Sequence, residues 1–133
     1  MDPLQRWVFQ HGQHAKALRA LQDAVDTDSG DKKSRDSILL SFVFTFETAC
    51  KLLRSVLVAK GENPPDYAAA VLKASFAARL IADPDQWVEL RECRNDVSHA
   101  YDEQRARAIA GVVKSFALAA FGRLLTEQSP DHG

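Results

Sequence analysis

The stretch Ile38-Leu39-Leu40-Ser41-Phe42-Val43-Phe44-Thr45-Phe46-Glu47-Thr48-Ala49 decides the fold. Ile38, Phe42, Phe46 and Ala49 recur at steps of three and four and continue into Leu53 and Val56, the stripe of a helix rather than the alternation of a strand. Gly61 and the pair Pro64-Pro65 end the pattern by C-cap and breaker chemistry. The resulting helix is about 40 Å long at roughly 1.5 Å per residue.

Before it, Leu4, Trp7, His11, His14, Leu18, Leu21 and Val25 form one stripe on a first helix, broken by the polar segment Asp26 to Lys33. After it, the spacing predicts a third helix from about Asp66 to Ile81 through Val71, Leu72, Ser75, Phe76 and Leu80. Asp83-Pro84 reads as an N-cap followed by proline at the first helical position of a fourth. A fifth runs from about Asp102 to Glu127 with Ile109, Val113, Phe116, Ala120 and Leu124 inward. The fold class is therefore all-α: an up-and-down four-helix bundle with an additional short helix, about five helices in all. It forms a single domain over residues 4–127, followed by a polar tail, residues 128–133, expected to fray. Ala117 and Phe121 lie off the main stripe, so the fifth helix is covered on two sides by its own chain or by a second copy. A homodimer is the expectation.

The 133 residues suffice for one core. Lys and Arg total 17 against 18 Asp and Glu, and a net charge of -1 gives no general attraction to nucleic acid or to an anionic membrane. Any RNA contact must come from a local cluster, for which Arg91, Arg94, Arg105 and Arg107 are the candidates beside a solvated helix face. Cys50 and Cys93 are isolated within helical patterns and read as small buried hydrophobes, consistent with a reducing compartment. The start, Met1 to Arg6, lacks a signal-peptide layout, and the apolar run Ile38 to Phe46 is too short to span a bilayer. A cytoplasmic protein without a membrane segment is expected.

Arg94-Asn95-Asp96-Val97-Ser98-His99-Ala100-Tyr101 gathers the chemistry. Arginine donates paired hydrogen bonds to oxyanions and histidine exchanges a proton near neutrality, together suited to a phosphodiester. Spacing alone does not identify the site, since Arg6 to His11 repeats the arginine, four residues, histidine pattern. Only the later copy adds Asn95 and Tyr101. Asp96 and Asp102 nearby make a poor metal set, so no metal and no cofactor is expected. His11 and His14 read as rim histidines facing the core. On an unbroken helix Arg94 and His99 stand about 140° apart. To reach one phosphate, the helix must end or bend near Ser98, or a symmetry mate must supply the complementary pair.

These residues resemble the signature of the HEPN proteins, all-helical domains marked by an arginine, a polar neighbour and a histidine four to six residues on: here Arg94, Asn95 and His99. The chain is most similar to a subgroup encoded beside minimal nucleotidyltransferases and long labelled nucleotidyltransferase substrate-binding proteins. Phe46-Glu47-Thr48-Ala49-Cys50-Lys51 resembles its second-helix motif, with Cys50 where a large aromatic is usual and Val43 where a glutamate is expected. The block from Asp85 to Tyr101 resembles its fourth helix.

The resemblance implies a toxin of a toxin-antitoxin pair, cleaving RNA without a metal ion. It implies silencing by a cognate minimal nucleotidyltransferase that transfers AMP to the tyrosine two after the histidine, Tyr101 here. In that reading His99 is general base or acid, Arg94 stabilises the phosphorane charge and Asn95 positions. More ordinary roles stand beside these. Arg94 also reads as a solvated partner of Glu89 or Glu92, His99 as a helix-dipole partner, and Tyr101 as a residue closing the core. At the level of the whole chain, the alternative is a non-catalytic subunit that presents a nucleotide or other substrate to a separate nucleotidyltransferase.

Overall fold

The computed structural model of the chain describes residues 1–132, without the side chain of His132. Among them there are five helical rods and no strand: α1 (Pro3–Asp26), α2 (Lys32–Ala59), α3 (Ala68–Ala77), α4 (Pro84–Asp96) and a last rod. In that rod α5 (Glu103–Val112) passes through a π-helical segment, Val113–Ala117, into α6 (Leu118–Glu127). The all-α bundle read from the sequence is the fold observed.

Aspartates open four of the helices, because a short carboxylate can accept from the unpaired N–H groups of a first turn. Asp2 and Gln5 form a reciprocal capping box on α1, and Asp31 accepts from Ser34 N on α2. Asp83 accepts from Gln86 N ahead of Pro84, and Asp102 from Gln104 N and Arg105 N. Two helices stop by the same device. At the end of α2, Glu62 N bonds to Leu57 O and Gly61 N to Val58 O, with Gly61 at φ 93°. At the end of α3, Leu80 N bonds to Ser75 O and Arg79 N to Phe76 O, with Arg79 at φ 60°. The third helix therefore stops at Ala77, short of the expected Ile81, because an arginine takes the left-handed position where glycine is usual.

Directions alternate round the bundle. Thr45 Oγ1 donates to Ala17 O, and His14 meets Thr48, so α1 and α2 run antiparallel. Three ring N–H groups one turn apart on α1 bind carbonyls of the last rod in reverse order: His14 to Phe121 O (3.2 Å), His11 to Leu125 O (2.8 Å) and Trp7 to Gln128 O (2.8 Å). The helix α4 returns antiparallel to that rod, with Asp96 near Arg105 and the Trp87 ring 6.0 Å from Phe121. Phe121 is fully buried, with its ring also against Phe42 (6.1 Å) and His14 (5.9 Å), and joins α1, α2 and α4 in one core.

Several expectations are corrected here. Phe116, expected inward, is only half-buried, whereas Ala117 and Phe121 are completely buried, so of the two coverings expected for the last rod its own chain supplies theirs. Gln128 is not frayed: it is buried, its carbonyl accepts from Trp7, and its side-chain amide donates to Leu80 O (3.2 Å). Gly133 lies outside the described residues. The run Ile38 to Phe46 is not the segment nearest to a membrane span: among the described residues the rod Glu103–Glu127, 25 residues with a window of mean hydropathy 1.6, satisfies that length and composition. Its inward face, Ile109, Val113, Ala117, Phe121 and Leu124, is the core of the bundle.

His14 is fully buried, and desolvation pulls its pKa down from 6.5 to about 4. Because Phe121 O can only accept, the single N–H of the neutral ring sits on Nε2, and Nδ1 faces the Thr48 hydroxyl (2.9 Å), whose one proton also has Thr45 O within reach at 2.9 Å. The unfolded chain takes up a proton near pH 6.5 that the folded ring refuses until about pH 4. Stability is thus full above that window and falls as the pH drops through it, by roughly 3 kcal/mol at its lower end. Urea unfolding of wild type and His14→Leu between pH 7 and 4 should show this component in wild type and its loss in the variant.

Candidate functional site

The motif lies where α4 gives out. The α-helix ends at Asp96, and Val97–His99 tighten into a 3-10 turn closed by Ala100 N to Val97 O, with Ser98 Oγ donating to Asn95 O. Asp102 N then bonds to His99 O, and Asp102 caps α5. The expected end of the helix near Ser98 is therefore present.

It does not bring Arg94 and His99 into one concavity of a single chain. Arg94 faces a cavity of about 270 Å³ between α2, α3 and α4, lined also by Glu47, Lys51, Tyr67 and Arg91. His99 opens to the other side of α4, into a concavity of about 600 Å³ bounded by Glu92, Cys93, Asp96, Ile109 and Val112. Asn95 lines both. The change of helix type tightens the turn without carrying His99 round the remaining angle.

Arg94 is half-buried, and its guanidinium meets Glu47 of α2 at 3.3 Å rather than Glu89 or Glu92. The two stretches singled out in the sequence, Phe46 to Lys51 and Arg94 to Tyr101, thus meet at one ion pair. The pair is partly solvated and weak in itself, which leaves the guanidinium available to a stronger anion. His99 is exposed, and Tyr101 is 85% exposed, with ring centroids 6.1 Å apart at 71°. Tyr101 does not close the core. Its phenol stands in solvent beside the imidazole.

The four candidate cations part company. Arg105 pairs with Asp96 and Asp102, and Arg107 with Glu103. Only Arg91 joins Arg94 at a common cavity. Lys51, Arg54 and Arg6, which no pattern around the motif indicated, lie close by; the one signal in the sequence was Lys51 and Arg54 three apart on α2.

Both cysteine thiols are held in the protonated form. Burial, reinforced by Asp66 and Glu47, pushes the Cys50 thiol up to about 12. Burial, with Glu89, Asp96 and Glu92, pushes Cys93 up to about 11. Among the described residues no three His, Cys, Asp or Glu side chains converge in a ligand set.

The helix α2 also carries an exposed apolar pair. Leu40 and Phe44, 58% and 53% exposed, lie on α2 between two ion pairs, Arg35 with Glu103 and Arg94 with Glu47.

Residues 10–129 match the family model described as nucleotidyltransferase substrate binding protein like. Over 79 residues the chain is 30% identical to the probable ribonuclease HepT of Haemophilus influenzae, covering 56% of this chain and 54% of that protein. The chain thus spans about half the length of that curated relative. The match along nearly the whole bundle, with Arg94, Asn95, His99 and Tyr101 inside it, means that the chain belongs to the nucleotidyltransferase substrate-binding protein-like family, within the HEPN proteins.

Proposed function

We propose that the chain is a metal-independent endoribonuclease, the toxin of a pair whose nucleotidyltransferase silences it by adding AMP to Tyr101. The observation that carries the reading is the exposed His99–Tyr101 ring pair on the turn that follows Arg94 and Asn95. An aromatic so exposed adds nothing to the core, and next to an imidazole its phenol is suited to receive a group.

In RNA the 2′-hydroxyl is already adjacent to the phosphate it attacks. His99 takes its proton, the P–O5′ bond breaks, and a proton returns to the leaving oxygen, giving a 2′,3′-cyclic phosphate and a 5′-hydroxyl. Arg94 leaves Glu47 to hold the equatorial oxygens as charge develops, and Asn95, between the two concavities, orients the strand. AMP transfer joins the Tyr101 oxygen to the α-phosphorus of a nucleoside triphosphate, with pyrophosphate leaving. The product carries bulk and negative charge beside the imidazole and competes with RNA for Arg94.

The separation of Arg94 and His99 across α4 supports a homodimer in which one copy's Arg94 works with its partner's imidazole. The pair Leu40 and Phe44 is the surface such a partner would cover. The same separation favours a second reading, in which the chain only presents a nucleotide to the nucleotidyltransferase.

Labelled structured RNA incubated in chelator with protein verified unmodified by intact mass should be cut to cyclic-phosphate ends. His99→Ala should slow cleavage roughly 10²- to 10⁴-fold. Equal cutting by wild type and His99→Ala would end the ribonuclease reading, and tight nucleotide binding without any cleavage would favour the second. Sedimentation at micromolar concentration should give a dimer that Leu40→Glu with Phe44→Glu converts to monomer. A wild-type monomer would end the shared-site arrangement.

A further inference from the structure

The concavity at Arg94 continues past it. A second hollow of about 200 Å³, lined by Arg6, Gln10, Lys51, Arg54, Ser55 and Asp66, adjoins it and shares Lys51 and Asp66 with it. Together they collect Arg6, Lys51, Arg54, Arg91 and Arg94 against Glu47 and Asp66, a formal excess of three positive charges (five minus two) on a chain whose total is -1. Among the described residues, only Arg94 of these five has a carboxylate within 4.0 Å. Arg54 spends its hydrogen bonds on Pro64 O and Asn63 Oδ1, both at 3.2 Å, neutral partners that leave its charge in force. Tyr67, 62% exposed, stands at the edge of the first hollow.

A cationic channel flanked by an exposed aromatic face is the arrangement that holds single-stranded nucleic acid, with phosphates on the cations and a base on the ring. An acidic peptide would use the cations and leave the ring idle. From Glu47 to Arg54 the channel follows α2 for about 10 Å toward α1. It starts at the arginine that the ribonuclease reading assigns to the scissile phosphate.

We propose that Arg6, Lys51 and Arg54 hold backbone phosphates of the RNA strand on one side of the scissile bond, with Tyr67 as the platform for one of its bases. The inference depends on the ribonuclease reading for the identity of the strand.

The test uses a fluorescein-labelled twelve-nucleotide oligoadenylate and the full chain carrying His99→Ala, which leaves the probe uncut. Binding is followed by anisotropy across a salt series. Arg6 and Lys51 are both exposed. Arg6→Gln with Lys51→Gln should weaken binding and reduce the slope of log K against log salt by about 1.4, roughly 0.7 for each single-strand phosphate no longer neutralised. The same charge removed from α1 at Lys16 and Arg19, outside both hollows, should leave the slope unchanged. Tyr67→Leu should weaken binding roughly 5- to 150-fold at every salt with the slope intact. Helix content by circular dichroism confirms that each variant folds.

An unchanged slope in the Arg6 and Lys51 variant, while wild type still cleaves RNA, would overturn the channel and leave the ribonuclease reading standing. Equal binding of polyglutamate together with no effect of Tyr67→Leu would overturn it in favour of a protein-facing surface. No binding of oligoadenylate even at low salt would remove the channel, and an accompanying absence of cleavage would remove the ribonuclease reading with it.

Discussion

Three ring N–H groups on one stripe of α1 hold the molecule in register. Trp7, His11 and His14 each reach a carbonyl of the last rod, and the carbonyls of Leu125 and Gln128 lie where a helix runs out of its own donors. Leaving such groups buried and unpaired would cost about as much as a missing hydrogen bond each, so α1 can slide against α6 only by breaking all three. The hold extends to the site. His14 also engages Thr48, and the residue before Thr48 is Glu47, the partner of Arg94. The helix position of Glu47 is thereby tied to the far side of the bundle.

The site combines an arginine on a packed helix with more exposed groups on a turn. Arg94 emerges from a packed helix against α2, whereas His99 and Tyr101 sit on a short turn between two helices, open to solvent. In the ribonuclease reading, that division suits a centre that holds a phosphate on Arg94 and leaves His99 and Tyr101 open to RNA and to a modifying partner.

Much of the architecture was legible because it is written in local chemistry. Aspartates followed by prolines or open first turns announce helix starts, and Gly61 announces a stop. The end of α3 was illegible, because Arg79 occupies a backbone conformation that sequence associates with glycine. The partner of Arg94 was illegible too: Glu89 and Glu92 are near it in sequence, but Glu47 wins through packing of α4 on α2. The motif could be found, since its residues lie within eight positions. The channel could not, since Arg6, Lys51 and Arg91 come from three helices and converge only in the folded bundle.

The π-helical segment Val113–Ala117 acts as a phase defect in the last rod. In an α-helix each step of four residues overshoots a full turn by about 40°, so Ile109, Val113, Ala117 and Phe121 would drift by about 120° in three steps. A wider turn absorbs that drift, and all four residues are buried on one side. The two halves of the rod therefore keep independent phases, α6 set against α1 and α5 against α4. Closing the segment to an α turn with no residue removed would rotate α5 by about 100° relative to α6. Asp102 and Arg105 would turn with it, and the loop bearing His99 and Tyr101 would lose its anchorage on α4. An apparently structural irregularity twelve residues beyond Tyr101 is thus part of what aims it.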